Sequence, residues 1–448
     1  MRRPRSCPVW LLWLFPMAGV ATEPPAAEST EPPPTAVAPS REWDFLSRLE
    51  VTTLALLPRE GMDADEGFAQ VEPTLIIDGG AEFGVNLGAP VRLRLWGGEV
   101  RGGRVRREDW DSLSDWGQLV RGLRWGSDDA PLGGWVGRLE SYSLLSGHLV
   151  RRYSNQLNPD YHPAGGVLTG TWGPLYMEAF VSDVLGPRLM GAEAALDMLH
   201  LLSGWPEQQG RYTVALSAVH DWGQAEGRTP PMTLAHLDGT AVVVVRPGLE
   251  AHLMAGWGGR PGESGAWGAV AGAGVDAMTP TLELKVRLEV RRQHGGFRQG
   301  VFGPDYELAR FRAAGTPGLP MAEEPFPDSS SLYFETAVGW DAARYGGLQR
   351  HLKLSLGAEA FTWGRMDVDG RVSAQLLGRS VEVAVKGLAV GMRQPGSRYV
   401  GSAEVRWRFL GGRLYALGTG GVLLYPEGDG TLRPGRFASV GLGVDHAR

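Results

Sequence analysis

Thr281-Leu282-Glu283-Leu284-Lys285-Val286-Arg287-Leu288-Glu289-Val290-Arg291-Arg292 is the stretch on which the fold turns. Side chains of an extended strand point alternately to its two faces, so Leu282, Leu284, Val286, Leu288 and Val290 share one face. Glu283, Lys285, Arg287, Glu289 and Arg291 share the other. A helix would scatter both sets around its circumference, and the period of two therefore selects a strand with one apolar and one ionised face. The apolar face has to meet either a protein core or lipid.

The alternation recurs along the chain, in candidate strands that run from Leu46–Leu56 through Ala81–Leu87, Val91–Trp96, Trp135–Leu144, Tyr212–Trp222 and Tyr399–Phe409 to Phe437–Val444. Many are about 9–12 residues long, the length a tilted strand needs to cross a bilayer and more than the usual soluble strand. Turn signals such as Arg246-Pro247-Gly248 and Leu410-Gly411-Gly412 separate them.

Aromatic placement bears on what the apolar faces meet. In Tyr212–Trp222 one face reads Tyr212, Val214, Leu216, Ala218, His220, Trp222, with rings at both ends. Tyr399–Phe409 repeats the theme with Tyr399, Ala403, Val405, Trp407 and Phe409. Apolar centres flanked by Tyr and Trp are the girdles of an outer-membrane barrel. A soluble sandwich explains the alternation equally well, but explains the long strands and their terminal rings less well. The expected fold is all-β, a transmembrane antiparallel barrel of about 16–18 strands. Short connections after Val245, Ala277 and Phe409 contrast with long ones at Gly97–Gly134, Leu145–Gly165, Gly223–Thr233 and Gly295–Ser331, as short inner turns and long outer loops would.

One early loop carries its own pattern. Within Asp109–Trp125, Leu113, Trp116, Val120 and Leu123 share a helical face, and Ser112 with Asp115 fits a capping box. A short amphipathic helix is expected there, packed under a loop or plugging the barrel.

Ahead of the barrel, residues 1–21 read as a signal peptide: Arg2, Arg3 and Arg5, then an apolar run from Val9 to Val20, then a small-residue cleavage site at Gly19-Val20-Ala21. Residues 22–41 read as a Pro-rich disordered linker, and residues 42–448 as the barrel. The only cysteine, Cys7, leaves with the leader, so an exported chain without disulfides depends on a large core or a membrane. A formal charge of −6 without a basic cluster gives no reason to expect nucleic acid as a partner.

Asp109-Trp110-Asp111-Ser112 to Leu123-Arg124-Trp125-Gly126, Ser146-Gly147-His148-Leu149-Val150-Arg151-Arg152-Tyr153-Ser154-Asn155 and Phe302-Gly303-Pro304-Asp305-Tyr306-Glu307 resemble a group of large, poorly characterised, porin-like bacterial outer-membrane β-barrel proteins. The resemblance covers scattered patches from Trp96 to Arg312 and implies a barrel in the outer membrane without implying any chemistry. Proteins folded by the outer-membrane assembly machinery usually end in an aromatic residue, whereas this sequence closes Val444-Asp445-His446-Ala447-Arg448. The last candidate strand shows only a weak apolar face at Phe437, Ser439, Gly441 and Gly443, or its complement.

No enzyme is expected. There is no Gly-x-Ser-x-Gly elbow and no His-Glu-x-x-His. Tyr153-Ser154-Asn155 resembles the Ser-Asn of outer-membrane phospholipases, but Arg152 stands where their base histidine would. His148 is six residues before Ser154 and would need a turn to reach it. His200, His220, His236 and His252 sit on separate strands, with His162 and His294 in loops, so no metal or cofactor is expected.

Glu283, Lys285, Arg287, Glu289, Arg291, Glu335, Lys353, Glu359, Glu382, Lys386, Glu404, Arg406 and Arg408 all fall opposite the apolar side of their strands. In lipid a base among them would cost about 2–4 kcal/mol at mid-bilayer, so they are expected to line the lumen. They would there form either a polar pathway or cross-strand ion pairs filling it. The expected function is a passive outer-membrane channel for small polar solutes. The alternatives are a non-conducting structural barrel of a trans-envelope machine for secretion or surface motility, with cell-envelope proteins as partners beside outer-membrane lipid, and a secreted carbohydrate-binding β-sandwich.

Overall fold

The computed structural model describes residues 44–57, 65–80, 82–97, 104–127, 130–204, 211–223, 230–263, 265–311, 321–341, 351–378, 380–426 and 432–447. The leader and the Pro-rich linker lie outside the described residues.

The strands are β1 (Asp44–Leu57), β2 (Glu66–Asp78), β3 (Phe83–Gly88), β4 (Val91–Trp96), β5 (Val120–Trp125), β6 (Leu132–Gly137) and β7 (Gly165–Trp172). Next come β8 (Leu175–Val181), β9 (Leu189–Asp197), β10 (Tyr212–Asp221), β11 (Met232–Arg246), β12 (Leu249–Gly259), β13 (Trp267–Met278) and β14 (Leu282–His294). The set closes with β15 (Ser329–Asp341), β16 (His351–Phe361), β17 (Met366–Leu376), β18 (Val381–Met392), β19 (Arg398–Phe409), β20 (Leu414–Pro426) and β21 (Leu432–Ala447). All strand pairings are antiparallel between neighbours, and β21 pairs with β1 from Leu46↔Ala447 to Leu57↔Arg436, which closes the sheet on itself. Among the described residues no helix is long and apolar enough to cross a membrane.

The barrel has 20 strands around its circumference, more than the 16–18 expected from sequence. β3 and β4 are two halves of one position: β3 pairs with the second half of β2 and β4 with the first. The break falls at Ala89-Pro90, because proline has no N–H to give to the ladder. The segment expected to be a helix is the other source of the difference. Ser112 and Asp115 do make the local hydrogen bonds, Ser112 N and Oγ donating to Asp115 Oδ2 at 3.0 and 2.6 Å. The turn they close is a 3-10 piece, Ser114–Leu119, which leads straight into β5; Leu113 and Trp116 stay exposed instead of packing inward. β5 then pairs with β3 and β6, so the last six residues of the expected helix, Val120–Trp125, are barrel wall.

The faces sort as alternation requires. On β14 Leu288 and Val290 are 46% and 59% exposed, whereas Glu289 and Arg291 are 0% and 1% exposed. On β10 Tyr212, Val214, Leu216 and Trp222 lie outside while Ala215, Ser217, Val219 and Asp221 are buried. On β21 the outward face is Val440, Leu442 and Val444, the complement of the Phe437 row. The small inward residues Gly441 and Gly443 leave room for Thr52 and Tyr415, which cross over from β1 and β20. The result is an outer belt rich in aliphatic side chains, with Trp96, Trp172, Tyr212, Trp222, Trp257, Trp340, Tyr399 and Trp407 exposed near strand ends.

Candidate functional site

Strand β6 is short, and after Gly137 the chain leaves the wall and turns into the barrel. Residues 138–155 form a hairpin whose limbs meet at Tyr142↔Tyr153, with Tyr142 N donating to Tyr153 O at 2.9 Å and Leu144 N to Val150 O at 3.2 Å. Gly147, at φ 69°, makes the tip, a left-handed conformation that a side chain would strain. The second limb runs parallel to residues 300–302 of the β14–β15 connection: Arg151 N donates to Phe302 O at 3.1 Å and Gly300 N to His148 O at 2.7 Å. Two connections from opposite parts of the chain thus make one small sheet inside the barrel.

One side of this insert is apolar. Leu139, Leu144, Leu149, Val150, Phe297 and Phe302 are fully buried against Phe180, Leu189, Val219 and Leu234 on the inner faces of β8–β11. Burying side chains of this size is worth about 1.5–3 kcal/mol each. The insert's other side is ionic. Arg151 pairs with Glu335, with Glu289 at 3.4 Å, and donates to the Tyr333 hydroxyl at 2.8 Å. Arg152 holds Asp369 and Ser355, at 2.5 and 2.6 Å. Arg152 has φ 54°, a left-handed conformation that costs a non-glycine residue about 1–2 kcal/mol, and its backbone N–H is held by Ser143 Oγ at 2.9 Å. That reversal is what lets two adjacent arginines reach different strands, β15 and β17.

Further ion pairs pin the second crossing segment. Arg298 meets Asp367 at 2.5 Å, Asp305 holds Arg398, and Arg310 meets Asp221 at 2.9 Å. Tyr153 donates to Glu307; burial, and then the neighbouring carboxylate, push its phenol well above the usual range, so it stays a donor. The early loop joins from the side. Arg92 and Arg106 bond Asp109 at 2.6 and 2.5 Å, and Arg106 reaches on to Asp160 at 2.5 Å. Burial alone would raise the Asp109 carboxyl, but His162 and the two arginines outweigh it and hold it at about 2.

The residues singled out from sequence fall into two groups. Glu289, Arg291, Arg287, Glu335 and Glu359 are gathered by the insert: Arg291 bonds Glu289 at 2.7 Å and Glu359 at 3.0 Å, and Arg287 joins Glu289 to the Ser146 carbonyl at 2.9 Å. The rest lie away from that cluster. Glu283, 52% exposed, pairs with Lys285 at 3.3 Å; Glu404, 45% exposed, pairs with Arg406 at 3.4 Å. Glu382 faces Arg406 and Arg408 at 3.9 and 3.6 Å, and Arg408 also meets Asp445 at 2.8 Å. Lys353 lies near Glu283, and Lys386 near Glu140.

Sequence reasoning missed Arg151, Arg152, Asp238 and His236. The first two stood in a loop with no periodicity, and the last two alternate on the inner face of β11 where nothing separated them from ordinary wall residues. His148 does not turn toward Ser154; its ring is held by Asp238 and Arg287.

A closed all-β barrel with an aliphatic exterior and a structured insert is the class these features define. Neither a protein-family model nor a curated protein sequence matches the chain. Among solved structures, a BenF-like porin from Pseudomonas fluorescens Pf-5 is similar at TM-score 0.34 and 11% identity, over 90% of this chain and 99% of that one. OccK8 (OprE) of Pseudomonas aeruginosa is similar at 0.37 and 10%, over 91% and 98%. OccAB4 of Acinetobacter baumannii is similar at 0.37 and 9%, over 91% and 98%. What the barrel does has to come from its own residues.

Proposed function

We propose that the protein is an outer-membrane channel through which small polar solutes pass passively, narrowed by the hairpin 138–155 and the segment 297–311. The observation that carries this is the division of the inner face: charged side chains such as Glu283 and Glu404 remain open to water inside a barrel whose outer face is aliphatic. Charged residues on the inner face then line the path, with mixed signs and no strong preference for one ion. A non-conducting structural barrel is the second reading, favoured by the sealed state of Glu289 and Arg291, and in it cell-envelope proteins are the partners.

The two readings separate in planar lipid bilayers. Purified, folded protein gives discrete conductance steps if it is a channel; silence, together with co-purification of envelope proteins, supports the structural role. Lipid as the outer solvent has its own check. Leu288→Arg, in mid-belt, is expected to destabilise the folded barrel by about 2–4 kcal/mol in vesicles, whereas Lys285→Arg on the same strand changes it by less than about 0.5 kcal/mol. Equal unfolding midpoints for the two variants would count against membrane insertion.

A further inference from the structure

His236 and Asp238 alternate on the inner face of β11, and His148 arrives between them and β14 from the hairpin tip. All three are sealed from solvent, and one donor atom of each lies within 4.8 Å of the other two. The cluster is not saturated by its own hydrogen bonds. His236 Nδ1, although 2.8 Å from Asp238 Oδ1, has no hydrogen-bonded partner, and neither does Asp238 Oδ2. Buried nitrogen and oxygen atoms without partners are costly, and each such atom asks for an occupant.

We propose that His148 Nδ1, His236 Nδ1 and the Asp238 carboxylate bind a divalent first-row transition ion of the zinc class. Two imidazoles and one carboxylate are the borderline donor set such ions take, leaving one position for water. The surroundings supply the second layer that ligating imidazoles need. His236 Nε2 faces the Gln299 side-chain amide at 3.2 Å, and Gln299 Oε1 is itself buried without a partner. Turning that amide over gives the Nε2 proton an acceptor. His148 Nε2 lies 3.6 Å from Glu289 Oε1 and 2.7 Å from Arg287 Nη2. A guanidinium only donates, so Nε2 accepts from it when the site is empty. With the ion on Nδ1, Nε2 carries a proton that Glu289 accepts, and Arg287, a donor that can no longer face that nitrogen, turns Nη2 away from it while staying beside Glu289 and the Ser146 carbonyl.

The ion would rivet the hairpin tip to the wall at β11, a role independent of whether solute passes. The test is calorimetric titration of chelator-stripped, detergent-solubilised full-length protein with Zn2+ alone, with Co2+ absorption as a second readout. The expected result is one Zn2+ per barrel and visible Co2+ ligand-field bands. His236→Ala and Asp238→Asn, each shown to be folded by heat-modifiable gel migration, weaken binding at least about tenfold, and His220→Ala, on the outer face, leaves it unchanged. Absence of saturable Zn2+ binding by the wild-type barrel overturns the proposal even if the variants fail to fold. So does binding that survives in folded His236→Ala.

Discussion

Glu289→Gln is expected to cost the folded barrel about 3–5 kcal/mol, the usual loss when one partner of a buried ion pair is removed. Glu289 is fully buried and accepts from Arg291 Nε at 2.8 Å, with Arg291 Nη2 at ion-pair distance, 2.7 Å, and accepts also from Arg287 and from Arg151 at 3.4 Å. Neutralising it leaves three guanidiniums facing one another in a largely buried site, with Glu335 and Glu359 already committed to Arg151 and Arg291. Glu283→Gln, on the same strand and largely exposed, is expected to move stability by less than about 0.5 kcal/mol. Urea unfolding of the barrel in vesicles, followed by the shift in gel migration, measures both. Similar midpoints for the two variants would show that the ionic side of the insert does not hold it in place. Adding Arg287→Met to Glu289→Gln should recover part of the loss, because replacing a buried ion pair by apolar groups of similar volume is close to neutral.

The contrast between Glu289 and Glu283 also marks where the sequence was readable. Both sit on the ionised face of one strand, and alternation alone places them together. What separates them is the hairpin tip, which arrives from nearly 140 residues earlier in the chain. No local period encodes that meeting. The wall was legible for the opposite reason: each strand states its own faces, and the belt of Leu216, Leu288, Val405 and Leu442 follows from a period of two. Strand number was less legible. Val120–Trp125 carries leucine, valine and tryptophan at spacings that fit a helix as well as a strand, and only pairing with Phe83–Leu87 decides between them. Ala89-Pro90 hides the opposite error, one wall position that reads as two strands. Trp135–Leu144 reads as one continuous strand, but beyond Gly137 the residues Leu139 and Tyr142 belong to a departure from the wall that becomes visible only once Phe180 and Leu234 are known to await them. Of the three stretches that carried the resemblance, the two around His148 and Phe302 meet inside the barrel, while the one that starts at Asp109 runs on into β5.

Replacing residues 141–153 by a short Gly-Ser linker is expected to raise single-channel conductance about tenfold, because a conductance follows the narrowest cross-section and barrels of 16–18 strands already leave an aqueous channel. Twenty strands at about 4.8 Å spacing and a tilt near 40° enclose a backbone diameter of roughly 40 Å, far wider than any small solute. The hairpin spans much of that width: its side chains touch Glu193 on β9, Asp238 on β11, Glu335 on β15 and Asp369 on β17. Removing it strands Glu335 and Asp369 without Arg151 and Arg152, so the deletion should carry Glu335→Gln and Asp369→Asn to keep the wall free of unpaired charge. The barrel itself should persist, since its closure depends on ladders such as β1–β21 that the hairpin does not touch. Under the channel reading small wild-type steps become large ones. Under the structural reading a silent wild type becomes conducting. If the deleted protein folds, as heat-modifiable migration would show, and its conductance equals that of the wild type, then residues 141–153 are not the constriction and the path runs along Lys353, Lys386 and Arg406 without passing them.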